Sequence, residues 1–196
     1  MCFYEFARRV VKVFLKIAYH ITFEGVEHIP DQGGYLLCCN HRTYMDPLFV
    51  GLKVPQALKF MAKEELFEVP VLKHVIKKLG AFPVARGKGD SGAVDFAVET
   101  VKSGQVLALF PEGTRSKDGT LGKVKSGALV IAAQTKAMIV PAVILFEGKL
   151  KFRSKVTVRY GEPIAYESLP LKEITPQNLK AAKHLLAGRL QQLMEE

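Results

Sequence analysis

A histidine and an aspartate five residues apart have side chains suited to proton transfer. His41 and Asp46 lie in the segment CNHRTYMDP, between an apolar run and a proline that can begin a helix. On one continuous helix they would point about 140° apart, so they can meet only where a loop leads into a helix. The carboxylate would then accept the Nδ1 proton and leave Nε2 free as a general base. An aspartate before a proline is also a common helix N-cap, so the pair alone leaves both interpretations open.

Another segment, GAFPVAR at residues 80–86, delivers Arg86 beyond a predicted strand. Ligands gather beyond the carboxyl ends of strands in open α/β sheets, and a guanidinium there can bind phosphate with two hydrogen bonds. The alternative is a surface arginine in a glycine-rich loop.

The segment FPEGTRS at residues 110–116 also follows an apolar run. Gly113 lets the backbone approach an anion closely, Thr114 offers a hydroxyl, and Arg115 offers charge. Glu112 does not suit a phosphate contact, and we interpret it as a partner of a glycerol hydroxyl or of the arginines. The alternative is a polar β-turn.

Two more segments complete the set. Lys125 opens a predicted helix and can add a cation to the same pocket, although solvated lysines are common at such positions. The run IVPAVI at residues 139–144 carries no reactive group and predicts a buried strand that forms an apolar wall. Pro141 within it indicates an edge or a bulge, because proline cannot donate to a strand ladder.

Signatures of other chemistries are absent from the sequence. There is no G-x-S-x-G segment, which argues against an acyl-serine intermediate. Phosphate-binding-loop and dinucleotide fingerprints are also missing. The other histidines lack partners at metal-ligand spacing, so we expect no metal and no cofactor. A base without a protein nucleophile beside it predicts activation of a substrate nucleophile.

The elements that must hold these residues alternate between β-like and helical runs. This alternation predicts an α/β fold, with a central mixed sheet of about seven strands flanked by helices. The predicted strands cover residues 20–23, 35–39, 58–61, 81–84, 106–110, 139–146 and 155–160. The predicted helices follow Pro47, Lys63, Ser91, Ser126 and Pro176. A chain of 196 residues suits a single domain, here residues 20–196, after an N-terminal helix at residues 1–19.

That N-terminal helix is predicted to be basic and amphipathic. Lys12 and Lys16 interrupt its apolar stretch, and no small-residue cleavage site follows, which argues against a signal peptide. Its apolar face comprises Phe3, Phe6, Val10, Val13, Phe14 and Ile17. This face can pack on the domain, lie in the interface of a bilayer, or do both.

The composition favours an anionic partner. Lys and Arg total 28 against 19 Asp and Glu, a formal net charge of +9. Nucleic acid, an anionic leaflet, a phosphate-bearing substrate and an acidic carrier protein would all be attracted. Three cysteines form no disulfide framework, which favours the cytosol. The longest apolar run, residues 137–146, is too short to cross a bilayer, so we expect no membrane-spanning segment.

In their order along the chain, the four segments resemble the motif blocks of the glycerophosphate acyltransferase superfamily, over roughly residues 20–165. The resemblance is closest to the bacterial 1-acyl-sn-glycerol-3-phosphate acyltransferases, which make phosphatidic acid. It implies transfer of an acyl group from acyl carrier protein or coenzyme A to the sn-2 hydroxyl of lysophosphatidic acid, without an acyl-enzyme. It also implies peripheral or monotopic attachment at the cytoplasmic face of the cell membrane.

The resemblance assigns a role to each motif residue. His41 would be the general base and Asp46 its orienting partner. Asn40 and Pro141 would support the site, the latter by helping to shape an acyl pocket. The glycerol phosphate would be bound by Arg86, Glu112, Gly113, Thr114, Arg115 and Lys125.

Two alternatives stay open on sequence grounds. One keeps the chemistry but changes the acceptor, for example to glycerol 3-phosphate or another lysolipid. The other is a basic membrane- or nucleic-acid-binding domain whose motif residues are only structural. The ordered blocks favour an enzyme with lysophosphatidic acid, an acyl thioester and an anionic membrane surface as partners, and without nucleic acid. The oligomeric state is not indicated.

Overall fold

Short apolar runs become the strands of the fold, close to the predicted positions. The computed structural model describes residues 3–78, 80–84 and 91–196. Its strands are β1 (His20–Glu24), β2 (Leu36–Cys39), β3 (Leu58–Lys63), β4 (Ala81–Val84), β5 (Val106–Leu109), β6 (Ile139–Leu145) and β7 (Lys155–Tyr160).

The helices also begin close to the predicted residues. They are α1 (Phe3–Ala18), α2 (Asp46–Gly51), α3 (Pro70–Lys78), α4 (Ser91–Lys102), α5 (Gly127–Thr135) and α6 (Pro176–Glu195). The helix predicted after Lys63 is a 3₁₀ turn, Glu64–Phe67, and α3 begins later, at Pro70. A proline fits the first turn of a helix because its missing N–H would have no partner there.

The described strands form one mixed sheet in the order β1-β7-β6-β2-β5-β3-β4. The five strands from β6 to β4 are parallel, whereas β7 pairs with β6 in the antiparallel sense and with β1 in parallel. The carboxyl ends of β2, β5 and β4 therefore share one edge of the sheet. The predicted motif segments follow these three strands, so this edge is where a site can form.

Both faces of the sheet are covered by helices, which confirms the predicted fold class. In β2, Leu36 and Cys38 face a cluster formed with α4, α5 and α6, while Leu37 and Cys39 face a second cluster formed with α1 and α2. All four side chains are essentially inaccessible to solvent. The hydrophobic effect contributes about 1.5–3 kcal/mol for each leucine buried in this way.

Pro141 does not lie on an edge strand, so that part of the prediction is wrong. Its strand, β6, pairs with β2 on one side and with β7 on the other. On the β7 side, the regular ladder starts at Ala142, and an isolated bridge joins Ile139 to Ile164 with a register shifted by one residue. The missing N–H of Pro141 coincides with this irregular pairing, which fits the predicted bulge.

Helix α1 packs on the domain through a narrower stripe than its apolar content predicts. Leu15 and Ala18 are buried, and Arg8 donates hydrogen bonds to the carbonyls of Val54 and Pro55. Val11 is partly buried, whereas five other apolar side chains are more than half exposed, namely Phe6, Val10, Val13, Phe14 and Ile17. The predicted apolar face thus points mainly into solvent. Across the described ranges, no helix combines the length and the hydropathy needed to cross a bilayer.

Candidate active site

His41 and Asp46 are brought together by a loop that leads from β2 into α2. Nδ1 of His41 donates to Oδ2 of Asp46 at 2.7 Å. The histidine side chain is 12% exposed, whereas that of the aspartate is fully buried. Nε2 of His41 forms no hydrogen bond with any of the described residues, so it is the ring nitrogen available to a substrate.

The carboxylate of Asp46 also accepts hydrogen bonds from other residues of its own loop. Oδ2 accepts from the main-chain N–H groups of Arg42 at 2.6 Å and Thr43 at 2.8 Å, and Oδ1 accepts from the Thr43 hydroxyl at 2.7 Å. The side chain does not cap α2, which has no side-chain N-cap bond. These hydrogen bonds offset the free-energy cost of burying a carboxylate. The loop geometry is thus set by the same group that orients the imidazole.

The segment after β5 holds the main chain of His41 from both sides. Oε1 of Glu112 accepts from the His41 N–H at 2.8 Å, and the Ser116 N–H donates to the His41 carbonyl at 2.7 Å. The Phe110 ring stacks on the imidazole with its centroid 4.1 Å away. The histidine is therefore fixed by two segments that are far apart in sequence.

Glu112 is buried, and both of its oxygens bind main-chain groups. Oε2 accepts from the Gly122 N–H at 2.9 Å, in addition to the bond from His41 to Oε1. Burial raises the pKa of this carboxyl above its usual value, although the two N–H donors oppose the shift. Among the described residues, no arginine bonds to it. The geometry shows a brace between two loops.

Asn40 extends the pairing of β2 and β6 beyond the last strand residue. Its side-chain carbonyl accepts from the Ile144 N–H at 2.7 Å, and its amide donates to the Ile144 carbonyl at 3.1 Å. The side chain is 2% exposed, so both bonds are shielded from water. Asn40 thereby fixes the strand end from which His41 projects.

Three of the predicted anion-binding residues lie in the loop after β5 and are accessible from solvent. Gly113 has φ of 70°, and a Cβ atom there would come within 2.7 Å of Lys125 Nζ. The positive φ favours a glycine there, and the lysine side chain crosses the loop directly over it. Thr114 is exposed, and the guanidinium of Arg115 lies 3.6 Å from the centroid of the Tyr44 ring. Arg86 lies outside the described residues.

Pro141 does not join this group. It lines a different cavity of about 520 Å³, whose other walls include Gly25, Tyr160, Gly161 and Leu193. The part of β6 that reaches the His41 segment is Ile144, through the side chain of Asn40.

Sequence reasoning missed Arg42. Its guanidinium donates to the carbonyls of Phe146 and Gly148 and stacks on the Phe146 ring at 3.8 Å. Burial lowers the pKa of this guanidinium. Arg42 thus ties the loop after β6 to the residue next to His41. A basic residue between His41 and a buried aspartate was the only signal, and its long-range partners could not be read from local spacing.

The arrangement supports base catalysis at a position exposed to an anionic substrate. An imidazole with one nitrogen held by a carboxylate and the other free can accept a proton from a hydroxyl. Gly113, Arg115 and Lys125 offer donors and positive charge on the adjacent loop. Within the described part of the chain, no cluster of three or more His, Cys, Asp or Glu residues could hold a metal ion.

Comparison with known proteins gives a consistent family. Residues 20–145 match the family model described as Acyltransferase. A 1-acyl-sn-glycerol-3-phosphate acyltransferase of Bacillus subtilis is 30% identical over 97% of this chain and 96% of its own length. One from Streptococcus pneumoniae is 29% identical over 99% of this chain and 74% of its own length.

A solved structure agrees with the fold over its whole extent. The crystal structure of the 1-acyl-sn-glycerophosphate acyltransferase PlsC from Thermotoga maritima matches with a TM-score of 0.69 at 25% identity. The match covers 100% of this chain and 85% of that chain.

Proposed function

Since the chain belongs to the acyltransferase family and is an enzyme of that class, we propose that it acylates the sn-2 hydroxyl of 1-acyl-sn-glycerol-3-phosphate. The product is phosphatidic acid, and the donor is an acyl thioester of acyl carrier protein or of coenzyme A. The names of the relatives from Bacillus subtilis and Streptococcus pneumoniae support this acceptor. The thioester is a co-substrate, and the reaction needs no further cofactor.

The observation that carries the proposal is the bond from His41 Nδ1 to Asp46, which leaves Nε2 free. Nε2 takes the proton of the acceptor hydroxyl while its oxygen attacks the thioester carbonyl carbon. The tetrahedral intermediate then collapses and the carbon–sulfur bond breaks. The departing thiolate takes the proton from Nε2 and leaves as a thiol, which restores the neutral imidazole. Asp46 stabilises the imidazolium that forms between these steps, because its carboxylate accepts the hydrogen bond from Nδ1. No acyl-enzyme is formed.

The phosphate of the acceptor is bound by the loop after β5. Lys125 Nζ lies over Gly113, so a cation and an open backbone face the same space. Arg115 and Thr114 border it, and we assign Arg86 to the same phosphate from its motif position. Glu112 and Asn40 act differently from a substrate contact, since both hold main-chain groups around His41. They position the base.

The enzyme works at the cytoplasmic face of the membrane, where it is attached peripherally by α1. The outward face of this helix carries five apolar side chains that are more than half exposed. Arg9, Lys12 and Lys16 are exposed beside them. Such a helix lies in the interface of an anionic leaflet, with its apolar side chains inserted and its cations near the headgroups.

The decisive experiment is thiol release with defined substrates. Purified protein is mixed with palmitoyl-acyl carrier protein or palmitoyl-coenzyme A, with or without lysophosphatidic acid, and the lipid product is identified by mass spectrometry. We expect thiol release to depend on lysophosphatidic acid and to yield phosphatidic acid. Parallel reactions with glycerol 3-phosphate and lysophosphatidylcholine serve as controls. A higher kcat/KM with either control acceptor would overturn the proposed acceptor.

A further inference from the structure

A groove lies between α6 and the segment at residues 121–124, beside the candidate active site. Its volume is about 830 Å³. One wall is formed by residues 121–124, and the other by a single stripe of α6 comprising Lys180, Lys183, His184, Ala187, Gly188 and Gln191. The stripe repeats at intervals of three or four residues, so it forms one continuous helix face.

All charged side chains that line the groove are basic. Lys123 lies on one wall and Lys180 and Lys183 on the other, and none of the described residues that line the groove is acidic. None of these lysines forms an ion pair with a described residue. Helix α6 contains no acidic residue before Glu195. Like charges three residues apart on one helix slightly disfavour it, so helix stability does not account for the pattern.

The groove floor can receive another protein surface closely. Leu121, Val124 and Ala187 provide apolar contacts. At Gly188 an added Cβ atom would meet nothing within 4 Å, so the helix surface is open there. A basic rim around an apolar floor fits a partner helix that has an acidic face and a few apolar anchors.

The groove is coupled to the active site by one side chain. The Gly122 N–H, in the groove wall, donates to Oε2 of Glu112, whose Oε1 accepts from the His41 N–H. Lys125, whose Nζ lies over Gly113, directly follows the same wall in the chain. A donor docked in the groove would therefore hold its thioester close to the base.

We infer that the groove docks an acidic carrier protein that bears the acyl thioester. This inference rests on the acyl-transfer function proposed above and assigns the surface on which its carrier-protein donor docks. The stripe from Lys180 to Gln191 is about 16 Å long at the rise of an α-helix, which suits a protein helix rather than a single small anion. The uniform positive charge matches an acidic helix face and would speed its encounter.

The test compares two donors in one charge-reversed variant. The variant carries Lys180→Glu and Lys183→Glu, and a matched control carries Lys102→Glu and Lys136→Glu. The control lysines are exposed at the ends of α4 and α5, before β5 and β6, on the opposite edge of the sheet. Both variants change the net charge equally, and circular dichroism checks that each is folded.

We expect the groove variant to raise the KM for palmitoyl-acyl carrier protein about tenfold or more, because complementary charges become repulsive. Its kcat and its KM for palmitoyl-coenzyme A should stay close to those of the wild type. The control variant should match the wild type with both donors. Equal changes with both donors, no change with either, or a loss that appears only in binding to anionic vesicles would overturn the inference.

The same experiment separates this inference from the proposed function. A wild-type enzyme that uses only palmitoyl-coenzyme A would overturn the docking site and leave acyl transfer intact. If the wild type consumed neither thioester, the proposed function would fail. Fluorescence anisotropy of labelled acyl carrier protein would then test the docking site separately from catalysis. Binding to the Lys180→Glu, Lys183→Glu variant as tight as to the wild type would refute the docking site.

Discussion

The segment around His41 and the helix α1 pack against the same apolar cluster but differ in what they bury and what they leave exposed to solvent. Around His41, the carboxylate of Asp46 is fully buried and accepts four hydrogen bonds from its own loop. On α1, only a narrow stripe that includes Leu15 and Ala18 is buried, and a broad apolar face remains exposed. The polar groups of the first region find their partners within the chain. The outer apolar side chains of α1 stay more than half exposed.

This difference indicates which surface of the protein is suited to binding an apolar partner. Buried polar groups that are satisfied internally fix one geometry, because each lost bond would leave a desolvated donor or acceptor. Large apolar side chains left in water cost free energy that a membrane can recover. We therefore expect substitutions near His41 to change turnover and substitutions on the outer face of α1 to change location.

The largest effect is expected for His41→Ala. Removing the base should lower kcat by about 10²–10⁴-fold, while KM and vesicle binding stay nearly unchanged. Steady-state thiol release measures kcat, and cosedimentation with vesicles measures binding. As a control, His74→Ala removes an exposed histidine of α3 and should leave both unchanged. Near-wild-type turnover of His41→Ala would contradict the base assignment.

A smaller effect is expected for substitutions on the exposed apolar face of α1. The double variant Phe14→Ser, Ile17→Ser should weaken binding to anionic vesicles by about 10–100-fold, because two large side chains no longer insert. Its kcat with a detergent-dispersed acceptor should be unchanged. Val69→Ser, Ile174→Ser is the matched control, since these side chains are also about half exposed but belong to other segments of the chain. Equal binding by both variants would show that α1 is not the membrane face.

Glu112→Gln should have a moderate effect that combines activity with stability. The amide would place a donor against one of the two N–H groups, so we expect a loss of about 1–3 kcal/mol in the free energy of unfolding. We also expect kcat to fall about tenfold because His41 is less firmly held. Urea denaturation and thiol release measure the two quantities. The exposed Glu147→Gln is the control, and full activity of Glu112→Gln would exclude a positioning role.

The pH dependence of stability gives a second test of Glu112. Burial raises its pKa in the folded protein above the ordinary 4.5. Between pH 4.5 and this raised pKa, the native state therefore binds more protons than the unfolded state. The contribution of Glu112 to stability is therefore greatest below pH 4.5 and falls as the pH rises through its raised pKa. Urea denaturation at several pH values should show this slope in the wild type and a shallower one in Glu112→Gln. Identical slopes would contradict the shift.

The smallest effect is expected for the buried thiols behind the site. Burial raises the pKa of Cys38 to about 12 and that of Cys39 well above its usual value. A Cys2→Ser protein should therefore show no thiol reaction with Ellman's reagent between pH 7 and pH 9 until it is unfolded, because the thiolate is the reactive form. Rapid labelling of the folded protein would indicate that the β2 core opens.

Most of the fold follows from local sequence patterns. The seven predicted strands lie within one or two residues of the observed ones, because short apolar runs bounded by turn residues have few alternatives. The start of α6 at Pro176 was also predictable, since Thr175 accepts the Asn178 N–H as an N-cap. Strand order was not, because parallel pairing joins segments that are far apart in the chain.

The candidate site was only partly predictable, and Glu112 shows why. Its sequence position suggested a bond to a glycerol hydroxyl or to arginines, whereas its carboxylate binds the N–H groups of His41 and Gly122. Main-chain donors carry no sequence signal, so such bonds cannot be foreseen from residue types. The role of Arg42 was not predicted for a similar reason, because its partners are the main-chain carbonyls of Phe146 and Gly148.

The outer face of α1 marks a second limit of sequence patterns. Periodicity identified the apolar residues but could not tell which of them would face the sheet. Packing decided this, because Leu15 and Ala18 fit against the cluster beneath α1 and left Phe14 and Ile17 outside.

The sequence by itself determined the reactive residue types, the strands that precede them, and the positive charge, because these depend on composition and short-range periodicity. The tertiary structure alone decided which groups meet. It joined Asp46 to His41, placed Glu112 between His41 and Gly122, and left the basic stripe of α6 facing an open groove. The physical reason is that long-range contacts depend on burial and on main-chain hydrogen bonds, which no local spacing records.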